Sequence, residues 1–465
     1  MKVTLFSLKW AAWLLTLVVP AFLILTAKAA QARPNHVVIG YSACWLDELF
    51  PPAAYNYQAL THVARSFIKT TDEGHITVPD DFFNPDLVRL AHANGVKVVA
   101  SIGGWVDSSA NWFSMASHPE YERRFFDELD GLITQNGYDG VDIDWEPGAQ
   151  TDAERKVFTS FMKNLRARFP NWSLTTAVMV GEPYASHMDW KEISSYVDYV
   201  GLMTYDFAGV FSDYAYHHAN LYSVPGSKAQ DGISVDETVR RVRDNYGVPK
   251  DKLLVGVPFY GKLFHVDHWN DPMPKEEPRV DGVSYTQALS LIQSGRYSEE
   301  WDKGAEASYL KNRYGKGLVS YDNRRAIELK CDYVKKNRLP GMIIWVLGSD
   351  MVGDRSQLLD VIARSFGTTP KAVPAQVLPD MERALVKSIQ EGIDELKQLS
   401  KKLTEAGKIN AAQAALAEHV PDLTLIGPKD HSGLIEHLKE LQSCFGEIHR
   451  KREKAQQDLK PTPTH

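Results

Sequence analysis

Apolar and polar positions along this 465-residue chain fall into two alternating textures. One consists of short runs of mostly apolar or small residues: His36–Tyr41, Thr61–Ile68, Val96–Ile102, Gly137–Trp145, Ser173–Val180, Val197–Tyr205, Leu253–Tyr260 and Gly341–Leu347. Such runs suit strands buried on both faces. In the other texture apolar residues return every three or four positions. Leu87, Leu90 and Ala91 do so within Asn84–Asn94, Phe125, Phe126, Leu129, Leu132 and Ile133 within Pro119–Gln135, and Val157, Phe161 and Leu165 within Ala153–Arg168. That spacing predicts helices with one buried face. Eight strands separated by helix-length segments over Asn35–Gly367 predict an α/β fold of the (β/α)8 barrel (TIM barrel) type, with its chemistry at the strands' C-terminal ends.

Three stretches break the rhythm. After strand seven, Lys262–Lys316 is longer than a helix and loop require, opens on Pro272, Pro274 and Pro278, and predicts a small insertion walling one side of a cleft. Residues 33–367 thus form the expected barrel domain, and 368–380, with Pro370, Pro374 and Pro379, a linker. From 381 to 465 the chain is Lys/Glu-rich. Leu385, Ile389, Leu396, Leu399 and Leu403, then Leu434, Leu438, Leu441, Phe445 and Ile448, predict an antiparallel helical hairpin. Packing on the barrel, self-association and envelope association are all compatible with such a tail. At the other end, Lys2 and Lys9 precede an apolar run from Trp10 to Ala27 and then small residues. This is the layout of a signal peptide over residues 1–32, hence of a secreted or periplasmic protein, with an uncleaved anchor as the alternative.

Composition narrows the class. A net charge of −7 carries no basic excess that asks for nucleic acid. Cys44, Cys331 and Cys444 lie far apart without paired spacing, so neither a disulfide framework nor a metal site is expected, and no cofactor is implied. Aromatic residues make up 11% of the chain, and many fall at predicted strand ends, where flat faces suit flat ligand surfaces.

The fourth run carries the chemistry. In Gly137–Pro147, Asp142, Asp144 and Glu146 alternate with Val141, Ile143 and Trp145, so the three carboxylates share one face of a strand at spacings of roughly 6–7 Å. Asp is depleted in strands, and stacked acids oppose pairing. A function therefore explains the pattern better than an acidic edge strand. Other strand ends bring Tyr41, Phe67, Ser101, Met203, Tyr205, Asp206, Tyr260 and Trp345 to the same rim. An acid beside a second carboxylate in an aromatic cleft is held protonated near neutral pH, as protonating a glycosidic oxygen requires.

These residues carry a resemblance. Asp139-Gly-Val-Asp142-Ile-Asp144-Trp-Glu146 and Ser101-Ile-Gly-Gly-Trp105 match the D-G-x-D-x-D-W-E and S-x-G-G motifs of family 18 glycoside hydrolases of the chitinase type. Met203-Thr-Tyr205-Asp206, Gly256-Val-Pro-Phe-Tyr-Gly261 and Trp345 follow in the family's order. The resemblance spans about Val37 to Gly367 and leaves the tail uncovered. It implies hydrolysis of β-1,4-linked N-acetylglucosamine polymers, chitin or its oligomers, by a retaining mechanism in which the substrate's acetamido group is the nucleophile. Glu146 would be acid and base, Asp144 and Asp142 would share a proton, and Tyr205 would donate to the acetamido oxygen. Asp206 would contact the distorted sugar and Trp345 would floor it. Tyr41 and Ser101 would support the Asp pair, with Phe67, Trp105, Met203 and Tyr260 completing the substrate surface. Peptidoglycan or the N-glycan core are alternative substrates, and a non-catalytic carbohydrate-binding protein is the alternative class. Lys262 replaces a common Arg, and Pro147 follows Glu146 where Tyr is frequent. Counting by twos back from Phe67 points Arg65 into the barrel, where pairing with Asp142 or another interior acid is expected.

Overall fold

The computed structural model describes residues 33–105, 109–146, 148–182, 184–228, 233–275, 279–406, 408 and 431–459. The expected signal segment and Pro147 lie outside these residues. Eight parallel strands close into a barrel: β1 (Val37–Ala43), β2 (His62–Thr70), β3 (Lys97–Gly104), β4 (Gly140–Trp145), β5 (Ser173–Val178), β6 (Tyr199–Leu202), β7 (Leu253–Pro258) and β8 (Gly341–Trp345). Each pairs with its sequence neighbour, and β1 pairs with both β2 and β8, which closes the ring. A two-residue strand, Ile76–Thr77, adds to the end of β2.

The period of two divides the strand residues between two cores. Ile39, Tyr41, Ala43, Ala64, Val99, Ala177, Met203, Leu254 and Ile343 fill the barrel interior. Their neighbours Val38, Val63, Val98, Val141, Ile143, Val200, Val255 and Ile344 face the outer core under the helices. There Trp112, Phe125 and Phe161 are fully buried, and each side chain of this kind contributes about 1.5–3 kcal/mol. Helix Asp152–Arg168 illustrates local specification. Thr151 Oγ1 accepts from the Glu154 backbone N–H, and Glu154 reaches back to the Gln150 N–H at 2.8 Å. Acids in its first turn and Arg166 and Arg168 in its last complement the helix dipole. Among the described residues no helix is long and apolar enough to cross a membrane.

The insertion is larger than 262–316. Strands Tyr260–Phe264, Val280–Ser284, Tyr297–Asp302, Ala307–Asn312 and Leu318–Tyr321 form one five-stranded antiparallel sheet. It starts directly at the end of β7. A helix, Tyr285–Gln293, opens on a capping box between Ser284 and Gln287.

In the tail, a first helix spans Leu378–Glu405 and a second His431–Leu459. Glu382 meets His437 at 2.5 Å, Gly392 packs on Ile448, and Glu395 meets Arg452 and Gln456. Partner numbers rise together, so these helices run parallel, which corrects the antiparallel expectation. Hydrophobic spacing shows which face a helix buries but carries no direction. At Gly392 a Cβ would lie 2.4 Å from Ile448 Cγ2, so glycine permits the close approach.

Candidate active site

On β4 the alternation places Val141, Ile143 and Trp145 in the outer core and turns Asp142 and Asp144 to the interior, with Glu146 just beyond the strand at the rim. Asp142 is buried and accepts three hydrogen bonds: Tyr41 Oη at 2.8 Å and Ser101 Oγ at 2.9 Å on Oδ2, and Thr175 Oγ1 at 2.6 Å on Oδ1. Burial pushes its pKa up, and these donors oppose the rise. Asp144 is pushed well above the carboxylate range by burial first, then by the charges of Glu146 and Asp142. Burial and, second, the Asp206 charge push Glu146 up to about 7. Near neutral pH Glu146 is therefore balanced between giving and taking a proton, as a residue acting first as acid and then as base requires.

Opposite the acids, Tyr205 is kept protonated, its pKa raised well above 10 by burial and then by the nearby carboxylates, so the phenol is available as a donor. Asp206 follows with a left-handed backbone, φ 56°, a conformation Asp tolerates better than most residues. Its Oδ1 accepts from Tyr260 Oη at 2.6 Å, pairs with Lys262 Nζ at 2.8 Å and meets His218 Nδ1 at 3.4 Å. Burial raises its pKa, but the His218 hydrogen bond and the Lys262 charge outweigh burial and hold the carboxyl below its ordinary value. Lys262, at the position where the resemblance leads one to expect Arg, is thus the cationic side chain paired with Asp206.

A cleft of about 440 Å³ lies over these groups. Trp345 stacks on Phe67 with centroids 5.5 Å apart, and Tyr41 meets its edge at 5.6 Å. Trp45 and Trp105 stand at the rim with 58% and 63% of their surfaces exposed. Ten of the expected residues line this cleft: Tyr41, Phe67, Trp105, Asp144, Glu146, Met203, Tyr205, Asp206, Tyr260 and Trp345. Asp142 and Ser101 lie beneath, tied to each other and to Tyr41. Thr175 was not expected. It sits level with Asp142 in the β4/β5 register, and its one sequence cue is a hydroxyl within an apolar run. Trp45 and Lys69 also line the cleft.

Arg65 is a correction. Between Ser66 and Ile68 the β2/β3 register shifts, so counting by twos back from Phe67 gives the wrong face. Ala64 faces the interior, and Arg65 points outward, fully buried. It makes a fork of two 2.6 Å bonds to Asp47 and donates to Ser42 Oγ and to the carbonyls of Asp81 and Phe82. Its partner is Asp47, not Asp142. All three cysteines, Cys44, Cys331 and Cys444, are free thiols.

The sequence model for glycosyl hydrolases family 18 matches residues 37–350. The chain belongs to that family. It is accordingly a glycoside hydrolase, and the carboxylate cluster on β4 lies where a barrel enzyme keeps its chemistry. Its sequence is similar to the endochitinase of Manduca sexta, 25% identical over 395 residues covering 74% of this chain and 69% of the relative. To the probable chitinase 2 of Drosophila melanogaster it is 27% identical over 387 residues, covering 73% and 78%. In structure it is similar to the Ostrinia furnacalis group IV chitinase, with a TM-score of 0.65 and 26% identity over 71% of this chain and 99% of the other. That chitinase has also been solved in complex with allosamidin. The family match ends within the loop after β8, so the tail of this hydrolase lies beyond it.

Proposed function

We propose that this family 18 hydrolase cleaves β-1,4 bonds of N-acetylglucosamine polymers or oligomers, chitin in the leading case, by a retaining, substrate-assisted mechanism. One observation carries the reading: burial and the Asp206 charge bring Glu146, at the rim of the cleft, up to about 7, and among the described acids of the cleft no second carboxylate stands open to attack the sugar. Asp142 lies beneath the floor with three donors, burial and the neighbouring carboxylates push the Asp144 carboxyl well up and so disfavour its anion, and Asp206 is engaged by Tyr260, Lys262 and His218. A retaining glycosidase ordinarily needs such a carboxylate as nucleophile, and substrate-assisted enzymes are the exception.

In this mechanism the sugar at the cleavage point lies on Trp345. Glu146 gives its proton to the leaving oxygen as the acetamido carbonyl oxygen attacks C1, forming an oxazolinium ion. Asp144 accepts a hydrogen bond from the acetamido N–H, and its proton passes toward Asp142 as positive charge develops. Tyr205 donates to the acetamido oxygen and holds it in line. Glu146, now a carboxylate, removes a proton from the water that attacks C1, and the configuration is retained. Chitinase names among the relatives and the allosamidin complex of a structural neighbour support the substrate class. The charged and apolar order of residues 1–32 supports export of the enzyme, with 33–367 as its catalytic domain.

Release of reducing ends from N-acetylglucosamine oligomers by the wild type, and its fall by about 10²–10⁴-fold in Glu146→Gln, tests the reading. Binding of the oligomers without cleavage by the wild type would instead make the protein a lectin. Failure on every such oligomer with turnover of a glycopeptide would move the substrate to the N-glycan core.

A further inference from the structure

We propose that the two tail helices form the outer wall of the glycone arm of the cleft, so that a segment outside the family match binds substrate and sets chain-length preference. The inference rests on the function proposed above. A second cavity, of about 560 Å³, opens beside the first and shares Trp45, Tyr260 and Trp345 with it. Its size is within the range of roughly 300–1,000 Å³ usual for ligand sites. The tail supplies its far side: Met381, Leu385 and Ser388 from the first helix, and Gln442, Phe445 and His449 from the second.

This wall is fastened to the barrel and to the insertion. The Gln442 side chain exchanges two hydrogen bonds with the Gly353 backbone, at 2.8 and 3.2 Å. Gly353 has φ 63°, and a Cβ there would lie 2.9 Å from Ile435, so glycine permits the contact. On the insertion helix, Gln287 donates to the Gly446 carbonyl and Ser290 meets Ser443 at 2.5 Å. From the first tail helix, Lys387 pairs with Glu48 in the loop after β1. Attachments on both flanks hold the wall at a fixed distance from Trp345.

Which arm it bounds follows from the acid. Glu146, Asp144 and Trp105 line the first cavity and not the second, so the second lies beyond Trp345, away from the acid. A sugar lying on Trp345 with C1 and its leaving oxygen toward Glu146 turns its other end to the tail. The chain entering the second cavity is therefore the glycone, on the non-reducing side. The lining fits pyranose rings: Trp45 and the half-buried Phe445 offer flat apolar surfaces, while Ser388 and Thr286 bring hydroxyls to the ring edges.

Ser388→Trp, at a half-buried position facing this cavity, would fill it, and Phe445→Ala would remove an aromatic face. The readouts are kcat/KM for the N-acetylglucosamine hexamer relative to a fluorogenic chitobioside, and the position at which a reducing-end-labelled hexamer is cut. In both variants the ratio is expected to fall by about tenfold or more, the scale of one pocket contact. The cut is expected to move toward the non-reducing end, because fewer glycone units are held. Lys401→Ala, exposed on the first tail helix and outside the cavity, retains both wild-type readouts. If Ser388→Trp proves unfolded by thermal melting, His449→Trp, at an exposed position on the same wall, replaces it. An unchanged ratio and cut site in folded variants overturns the inference while leaving the function reading intact. If the wild type turns over neither hexamer nor chitobioside, the function reading fails and this inference fails with it.

Discussion

The Asp206 to Lys262 pair should set the alkaline limit of activity through Glu146. In the proposed mechanism Glu146 must be protonated to act as the acid, so activity is expected to be lost as pH rises through its pKa, about 7. That value stands above an ordinary 4.5 for two reasons, burial and, second, the negative charge of Asp206. As the lesser cause, Asp206 accounts for less than half of the rise, about one pH unit at most. Asp206→Asn removes the charge and leaves Lys262 unpaired nearby; both changes favour ionised Glu146, so the alkaline limb moves down by up to about one unit. Lys262→Met acts in the opposite sense. It removes the cation 2.8 Å from Asp206 Oδ1, while Tyr260 and His218 still hold the carboxylate. The uncompensated negative charge then moves the limb up. Both variants are expected to lose absolute rate, because Asp206 lines the cleft and Lys262 pairs with it, so the readout is the midpoint of kcat/KM against pH on a fluorogenic chitobioside, which reports the free enzyme. Limbs that stay in place, or that move in the same direction in the two variants, would refute the electrostatic account of Glu146.

Two further outcomes concern stability. Because Glu146 binds its proton more tightly folded than unfolded, its contribution is fully present below about pH 4.5 and is lost as pH rises through about 7. Glu146→Gln should therefore stabilise the protein at pH 8.5, by up to about 3 kcal/mol before solvent screening reduces it, and hardly at pH 4; equal melting shifts at both pH values would count against it. Arg65→Met leaves Asp47 with only part of its partners and should cost about 3–5 kcal/mol in urea unfolding. Since Arg65 faces away from Asp142, the pH profile of activity should not move, and a displaced profile would return Arg65 to the catalytic face.

Local order made most of the barrel legible in the sequence. Each strand is a short apolar run, and β4 displays its acids through strict alternation, so Asp142, Asp144 and Glu146 are readable without knowing any neighbour. What was hidden depends on neighbours. Thr175 acquires its role from the register of β5 on β4, and Arg65 was assigned to the wrong face because one irregularity at Ser66 to Ile68 resets the count. In the insertion, Tyr297–Asp302 is half exposed and carries Glu299 and Glu300, so it lacks the dense apolar signature of the barrel strands. The tail's spacing gave both helices but not their relative direction, which rests on pairings such as Glu382 with His437.

The donors around Asp142 come from β1, β3 and β5, whereas Tyr205, Asp206, Tyr260 and Trp345 arise at the ends of β6, β7 and β8. The hydrogen bonds that hold Asp142 are thus wired within the first five strands, whereas the cleft is lined from both halves of the barrel: Trp45, Phe67 and Trp105 from the first, Tyr205, Asp206, Tyr260 and Trp345 from the second. Exchange of the later segments between relatives, with the tail carried along or replaced, would keep the Asp142 hydrogen bonds but replace Asp206, whose charge helps raise Glu146, so substrate choice and the alkaline limb would change together. For directed recombination, a seam after β5 keeps the Asp142 network in one piece and passes the tuning of Glu146 to the other.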